Sequence, residues 1–222
     1  MLTIGHRGAA GDEPENTLLS FRKAIDLKVD MIELDIQLCK SGEMVVIHDY
    51  SLERTTNGNG FVADKTLDEL QKLDVGKGQA IPTLQESLEV IGNKASVNIE
   101  LKCRSIAAEL CRTLNYFIEK GILQLKNIIV SSFILDELLI IRELLPSVKI
   151  SLLFEELPEE FDTVASQLQA FSINLNFEFL TQDIVDRIHA KGYKVYTYTV
   201  NKPDDKERMK AWGVDGIFTD FP

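Results

Sequence analysis

The sequence has few of the residues that mark exported, zinc-thiolate and membrane-spanning proteins. It contains three cysteines, Cys39, Cys103 and Cys111, whose spacing matches no zinc motif. The chain begins Met-Leu-Thr-Ile-Gly-His without a basic and apolar leader, which together with the odd cysteine count predicts reduced thiols and a cytoplasmic location. No apolar run is long enough to cross a bilayer, so a membrane span is not expected.

Positive charge is also scarce. The 24 Lys and Arg residues are outnumbered by 35 Asp and Glu residues, which gives a formal net charge of −11. Such a field repels a polyanion, so a nucleic-acid partner is not expected, and any anionic substrate must be bound by local cations. The length of 222 residues and the hydrophobic content of 45% are enough for one large core. Residues 1–222 are therefore predicted to form a single domain.

Short β-rich segments alternate with amphipathic segments of helical spacing, which is typical of a parallel α/β sheet. The candidate strands read "LTIGH", "MIELDIQL", "SVNIELK", "NIIVSS", "KISLLF", "FSINLN", "KVYTYTV" and "GIFTD". Eight strand–helix units in a chain of this size predict an α/β fold of the (β/α)8 TIM type.

One segment departs from this alternation. Residues 44–49, "MVVIHD", follow the second strand after only the short turn "CKSGE". A helix cannot fit into that gap, so we predict an antiparallel hairpin. Residues 50–81 are rich in Asn, Gly, Asp and Lys, and they are predicted to form an insertion on the rim of the barrel.

Two strands carry acidic residues on one face. Glu33 and Asp35 alternate with apolar residues, and Glu100 and Lys102 do the same in the strand "SVNIELK". Carboxylates inside a barrel are costly unless a cation, a proton or hydrogen bonds compensate them. Three such acids from two strands could share one hard divalent cation, Mg²⁺ or Ca²⁺. The alternatives are solvent-exposed polar faces for the strands and a simple charge pair with Glu100 for Lys102.

Two of the three histidines, His6 and His48, end apolar runs, where a barrel places its chemistry. Histidine has a pKa close to neutral pH, so these side chains suit proton transfer in both directions. Metal ligation and a structural position are the alternatives. His189 lies inside a helical segment and is expected to be structural. Glycines stand on both sides of the pair His6–Arg7, so the guanidinium of Arg7 can approach a phosphate with little steric hindrance, and a surface salt bridge is the alternative.

The segment "PENT", residues 14–17, has a purely structural interpretation. Asn16 or Thr17 can cap the helix that follows, and Pro14 can stiffen its entry.

The motifs "HRG", "PENT", "ELDIQ", "VVIHD", "ERTTNG", "IPTL", "IELK", "YTVN" and "DGIFTD" occur in this order along nearly the whole chain. In order and spacing the sequence resembles the glycerophosphodiester phosphodiesterases of the bacterial cytoplasmic type. The resemblance implies a TIM-type barrel with an insertion after the hairpin and one divalent metal ion. It also implies hydrolysis of glycerophosphodiesters to glycerol 3-phosphate and an alcohol.

The resemblance assigns roles to seven positions, all of which are present. They are the acid–base histidines His6 and His48, the metal-binding acids Glu33, Asp35 and Glu100, and the phosphate-binding cations Arg7 and Lys102. Two places depart from the family pattern. The turn 39–42 reads Cys-Lys-Ser-Gly, and Tyr198 stands where a tryptophan is common. Tyr198 is therefore predicted to line the substrate pocket and to change how the glycerol or head group is bound.

Two other functions are compatible with the same residues. A lysophospholipid phosphodiesterase of the phospholipase D kind would need an apolar access surface, and the insertion offers few large apolar residues. A non-catalytic barrel that only binds its ligand is disfavoured by the presence of both histidines and all three acids. The nucleophile, either water or the neighbouring glycerol hydroxyl, is left open, and a homodimer is compatible with the sequence.

Overall fold

A computed structural model describes residues 1–222 and shows a closed parallel barrel of eight strands, with one additional antiparallel strand. The strands are β1 (Leu2–Gly5), β2 (Met31–Leu38), β3 (Met44–Val46), β4 (Ser96–Leu101), β5 (Ile128–Ser132), β6 (Lys149–Phe154), β7 (Ser172–Asn176), β8 (Lys194–Tyr198) and β9 (Gly216–Thr219). Strand β1 pairs with both β2 and β9 and so closes the ring. Strand β3 pairs antiparallel with β2. The predicted TIM-type fold and the predicted hairpin are both confirmed.

The helices are α1 (Leu18–Asp26), α2 (Leu67–Leu70), α3 (Leu84–Ile91), α4 (Ala107–Glu119), α5 (Leu135–Leu144), α6 (Phe161–Gln167), α7 (Gln182–Ala190) and α8 (Pro203–Ala211). Helix α2 lies in the insertion, and the other seven connect consecutive strands of the barrel. The sequence predicts eight strand–helix units, but eight strands in a ring need only seven connections. None of the helices combines the length and the apolarity that a membrane span requires.

The apolar residues form two layers. A cluster of 44 buried residues fills the space between the outer faces of the strands and the helices. A smaller cluster inside the barrel includes Ile4, Met31 and Phe218. Glu33 follows Met31 on the same face of β2, one step closer to the carboxyl end of the strand. The acids thus lie above an apolar floor at the end of the barrel where TIM-type enzymes bind their substrates.

The insertion has a small core of its own. Its eight buried residues are Cys39, Val45, Ile47, Leu52, Val62, Leu70, Val75 and Ile81. This cluster includes residues of the hairpin as well as of the insertion, so the two pack as one unit. The hairpin is also tied to the barrel, because the Ile47 N–H donates to the carbonyl of Asp35 at 3.0 Å. His48, which directly follows Ile47, is held at the rim of the barrel by these contacts.

A buried acid of α5 holds the loop between β4 and α4. Glu137 is only 3% exposed, and it accepts hydrogen bonds from the N–H groups of Ser105, Ile106 and Ala107 at 2.7, 3.1 and 2.9 Å. Helix α4 has no capping side chain of its own. Glu137 therefore satisfies the N–H groups that a helix start leaves unpaired, and it fixes the loop that follows Lys102.

We expect Glu137→Ala to lower the free energy of unfolding by about 2–4 kcal/mol, because it leaves buried N–H groups without an acceptor. Glu143→Ala is the matched control, since Glu143 is an exposed residue of the same helix. Chemical denaturation followed by circular dichroism measures both. A loss for Glu137→Ala no larger than the control's would contradict this capping role.

Candidate active site

Three acids meet at the carboxyl end of the barrel. In the register of β2 against β4, Asp35 lies opposite Glu100, and Glu33 lies opposite Asn98. One carboxylate oxygen from each of Glu33, Asp35 and Glu100 lies within 4.8 Å of the others. The structure therefore brings together the three acids that the sequence singles out. Such an all-oxygen group is compatible with a hard divalent metal ion.

The electrostatics of the cluster favour a cation. Burial, together with the charge of Asp35, raises the pKa of Glu33 well above its usual range and raises the pKa of Glu100 to about 7. Two side-chain cations lie close by: Arg7 Nε is 3.4 Å from Asp35, and Lys102 Nζ is 2.7 Å from Glu100. Two positive charges do not neutralise three carboxylates, of which Glu33 and Asp35 are buried and Glu100 is partly exposed. A divalent cation would remove the remaining cost, so the donor set fits a metal site.

Arg7 occupies a sharp turn after β1. Its φ of 52° lies in the left-handed region, and its backbone N–H donates to the Glu33 carboxylate at 2.7 Å. Gly8 is required beside it, because a Cβ there would lie 2.1 Å from Ser20 Oγ. Ser20 Oγ in turn donates to the Arg7 carbonyl at 2.7 Å. The motif "HRG" thus forms a strained turn that fixes Arg7 next to the acids.

Asn16 is a residue of the site for which the sequence predicted only a capping role. Its Nδ2 donates to Asp35 Oδ2 at 2.9 Å, and its Oδ1 accepts from the Asp35 N–H at 3.3 Å. Thr17 is the helix cap, and its Oγ1 accepts from the N–H of Ser20 at 3.1 Å. Of the two predicted capping candidates, Thr17 therefore caps α1 while Asn16 orients an acid of the cluster. Sequence alone carries no signal for this second role.

His6 is oriented by a carboxylate from the other end of the chain. Its Nδ1 lies 2.7 Å from Asp220 Oδ1, and Asp220 accepts a second hydrogen bond from Asn201 Nδ2 at 2.7 Å. This arrangement leaves His6 Nε2 available on the wall of the pocket. His189 lies elsewhere, in α7, where its Nε2 contacts Asp215 at 2.8 Å. That position agrees with the structural role expected for His189.

His48 is oriented in the same way by its neighbour. Its Nδ1 lies 2.6 Å from Asp49 Oδ1. Burial lowers the pKa of His48, even though the nearby Asp35 acts to raise it. Gln37 Nε2 donates to the carbonyls of Ile47, His48 and Asp49 at 3.1, 3.0 and 2.7 Å, which fixes this end of the hairpin. Burial therefore favours the neutral imidazole of His48.

A cavity of about 340 Å³ opens over these groups. Its wall includes every residue predicted from the sequence to act in the site except Asp35, which is 1% exposed and interacts with Arg7 and Lys102. Burial opposes the charge of Lys102, but Glu100 and Asp35 outweigh it and raise its pKa. Lys102 therefore remains protonated.

Other residues of the wall were not predicted. Phe133 and Glu155 each follow a barrel strand directly, a position that could have identified them. Asn98 is buried in β4, and it donates through Nδ2 to Ser131 at 3.0 Å while its Oδ1 has no hydrogen-bond partner. This oxygen is a free acceptor beside Glu33.

Tyr198 lines the cavity, but its hydroxyl already makes a hydrogen bond within the protein. The hydroxyl donates to the carbonyl of Phe154 at 2.9 Å. The ring packs edge-on against Phe133 and Phe218, with centroid distances of 6.3 and 6.4 Å. Tyr198 thus offers the substrate an aromatic surface rather than a hydroxyl group.

Comparison with known proteins gives consistent matches over the whole chain. The model of the Glycerophosphoryl diester phosphodiesterase family matches residues 6–222. A glycerophosphodiester phosphodiesterase of Caldanaerobacter subterraneus subsp. tengcongensis is 39% identical over 235 residues, covering 100% of this chain and 94% of the relative. A human lysophospholipase D is 31% identical over 262 residues, covering 99% of this chain and 83% of the relative.

Among solved structures, a phosphodiesterase of Oleispira antarctica in complex with the product sn-glycerol-3-phosphate is similar to this chain. The TM-score is 0.93 at 29% sequence identity, and the match covers 100% of this chain and 94% of the other.

Proposed function

Because the chain belongs to the glycerophosphoryl diester phosphodiesterase family, we propose that it hydrolyses glycerophosphodiesters to glycerol 3-phosphate and an alcohol. The observation that carries this proposal is the convergence of two carboxylate-oriented histidines with two cations and an acidic cluster in one cavity. The chain is thus a phosphoric diester hydrolase, and the roles of its individual residues are proposals.

The acidic cluster is proposed to hold one divalent cation, Mg²⁺ or Ca²⁺. Glu33, Asp35 and Glu100 would bind it, and when bound it would supply positive charge to a non-bridging phosphate oxygen. Arg7 and Lys102 would bind the other phosphate oxygens, since both line the cavity and both are charged at neutral pH. These cations lower the charge that repels an attacking oxygen.

The histidines are proposed to transfer the protons. His48, whose pKa is lowered by burial, suits the general base, because a base must be neutral before it accepts a proton. His6, oriented through Nδ1 by Asp220, is then the acid that protonates the leaving oxygen of the alcohol. The attacking oxygen belongs either to water or to the neighbouring glycerol hydroxyl. Only the second route forms a cyclic phosphate, so trapping that intermediate distinguishes the two.

The remaining wall of the cavity suits a small, positively charged alcohol group. Glu155 is held at 3.0 Å by Asn176 Nδ2 and places a negative charge on this wall. Phe133 and the ring of Tyr198 also line this cavity, and aromatic rings attract cations. Choline and ethanolamine combine a positive charge with a size that a cavity of about 340 Å³ can enclose.

We expect glycerophosphocholine or glycerophosphoethanolamine to be cleaved with release of glycerol 3-phosphate. Lysophosphatidylcholine should be cleaved at least about tenfold more slowly, because a cavity of about 340 Å³ does not enclose a long acyl chain and leaves it on the rim. Choline release compares both choline substrates on one scale, and a coupled assay with glycerol-3-phosphate dehydrogenase confirms the second product. A clear preference for the lysolipid would reverse the ranking of the two functions.

One observation favours that second function, a lysophospholipid phosphodiesterase. Large side chains are exposed on the loops of this rim, namely Tyr50 and Phe61 at 59% each, Phe133 at 43% and Phe179 at 44%. The insertion, predicted from its sequence to be poor in large apolar residues, contributes Tyr50 and Phe61. These side chains would contact the acyl chain if the lysolipid proves to be the better substrate.

The cytoplasmic location and the homodimer remain predictions from the sequence. Cell fractionation tests the location, and light scattering of the purified protein tests the oligomeric state.

A further inference from the structure

Arg54, a residue of the insertion, bridges two carboxylates at the edge of the site. Its Nε and Nη2 donate to the two oxygens of Asp49 at 2.6 and 3.0 Å. Its Nη1 and Nη2 donate to the two oxygens of Glu15 at 2.7 and 2.8 Å. Both contacts are bidentate, so the planar guanidinium fixes the orientation of each carboxylate.

Each of these carboxylates orients a different functional group. Asp49 contacts His48 Nδ1 at 2.6 Å, and Glu15 accepts from Arg7 Nη1 at 2.7 Å. A continuous series of contacts thus runs from His48 through Asp49, Arg54 and Glu15 to Arg7. We infer that Arg54 is a positioning residue that fixes the proton-transfer histidine and the phosphate-binding arginine in position relative to each other. This inference rests on the proposed function for the roles of His48 and Arg7.

The charges of this series support the inference. Within this series the two arginines face two carboxylates while His48 is neutral, and Arg7 also faces Asp35 at 3.4 Å. Loss of Arg54 would therefore leave one more negative charge uncompensated beside the phosphate site. Glu15 would then direct its whole negative charge at Arg7. Because less of the positive charge of Arg7 would be left for the substrate, an anionic substrate would be repelled. Loss of Arg54 should therefore raise KM through Arg7 and lower kcat through His48.

A purely structural role is the alternative, in which Arg54 only ties the insertion to the barrel. Arg54 is 47% exposed, and ion pairs of exposed side chains contribute little to stability. Its removal should therefore leave the folded state intact while it disturbs the site. A loss of activity in a variant whose stability is unchanged indicates the positioning role and not the purely structural one.

The experiment compares Arg54→Met and Arg54→Lys with wild type on glycerophosphocholine. We expect Arg54→Met to raise KM and to lower kcat, with a combined loss of about 10- to 100-fold in kcat/KM and no change in melting temperature. Arg54→Lys restores the charge but cannot form two bidentate pairs, so KM should recover while kcat stays low. Arg112→Met is the matched control, because Arg112 pairs with Glu109 on the surface of α4.

A second readout does not depend on turnover. Calorimetric titration with sn-glycerol 3-phosphate should show weaker binding to Arg54→Met than to wild type and to Arg112→Met. If wild type cleaves no glycerophosphodiester, the proposed function fails, and this titration still tests whether Arg54 supports the phosphate site. The inference is overturned if Arg54→Met keeps KM, kcat and product affinity within about twofold of wild type. The inference is also overturned if the losses of activity and of product affinity are no larger than the fraction of the variant that is unfolded.

Discussion

Replacing Glu100 by glutamine is expected to reduce kcat/KM by a factor on the order of 10³ or more. The amide keeps the size of the side chain but removes a negative charge from the carboxylate cluster, and Lys102 loses its ion pair at 2.7 Å. If the three acids share one cation, Glu33→Gln and Asp35→Asn should cause losses of the same order. Steady-state kinetics with added Mg²⁺ or Ca²⁺ measure the activity, and calorimetric titration measures the affinity for the metal.

Glu207→Gln is the control, because Glu207 is an exposed acid of α8. In wild type, metal should raise the melting temperature, since it binds only the folded state. Full activity in excess EDTA, or unchanged metal affinity in Glu100→Gln, would show that the acids do not share a metal ion.

The pH dependence of metal binding gives the same test a second measurement. Burial and the charge of Asp35 raise the pKa of Glu100 to about 7, so protons compete with the metal below that pH. Metal affinity should therefore fall as the pH falls through about 7. In the absence of metal, the stability of the protein has the opposite dependence on pH. Folding favours the protonated form of Glu100, so its contribution to stability is present at low pH and is lost as the pH rises through about 7.

Replacing His6 or His48 by alanine is expected to reduce turnover by a factor on the order of 10² to 10⁴. The two variants should differ when the leaving group changes. A p-nitrophenyl ester of glycerol phosphate releases p-nitrophenolate, which leaves without a proton and therefore needs no general acid. Because the lowered pKa of His48 suits the base, this substrate should partly restore activity in His6→Ala and not in His48→Ala. Absorbance of the released p-nitrophenolate measures the rescue.

His189→Ala is the control and should retain nearly wild-type turnover, because His189 contacts Asp215 away from the cavity. Rescue of His48→Ala instead of His6→Ala would exchange the two roles. If neither variant is rescued and both lose metal affinity, the histidines are metal ligands and the proton-transfer scheme is wrong.

The sequence predicted the acidic cluster because alternation along a strand is a local property. Once Glu33 and Asp35 share a face of β2, the parallel register with β4 brings Glu100 beside them. The groups that orient the histidines had no comparable signal. Asp220 approaches His6 only after the barrel closes, and Asp49 adjoins His48 in sequence without any pattern that marks its contact.

Side-chain contacts to the backbone could not be predicted from the sequence either. The Tyr198 hydroxyl reaches a carbonyl 44 positions earlier in the chain, so sequence indicated an aromatic wall but not that its hydroxyl was occupied. The insertion was recognised by its polar composition, but its small core depends on single apolar residues such as Leu52 and Leu70, which are spaced too irregularly to reveal one. The bridge made by Arg54 was missed because both of its partners lie outside the helices and strands.

The pairing of β1 with β9, which closes the barrel, also determines when the fold can be completed during synthesis. Strand β1 leaves the ribosome before the other eight strands, yet one of its two edges pairs with β9, and His6 pairs with a carboxylate 214 positions later. Until β9 emerges, the edge of β1 that will face it carries unpaired backbone groups, the kind of edge that invites pairing with other chains. Ribosome-bound chains that end before Gly216 would therefore have an open sheet and an unoriented His6. Hydrolytic activity on stalled ribosomes would thus report the emergence of the last strand, and not of the acidic cluster, which is complete at Glu100.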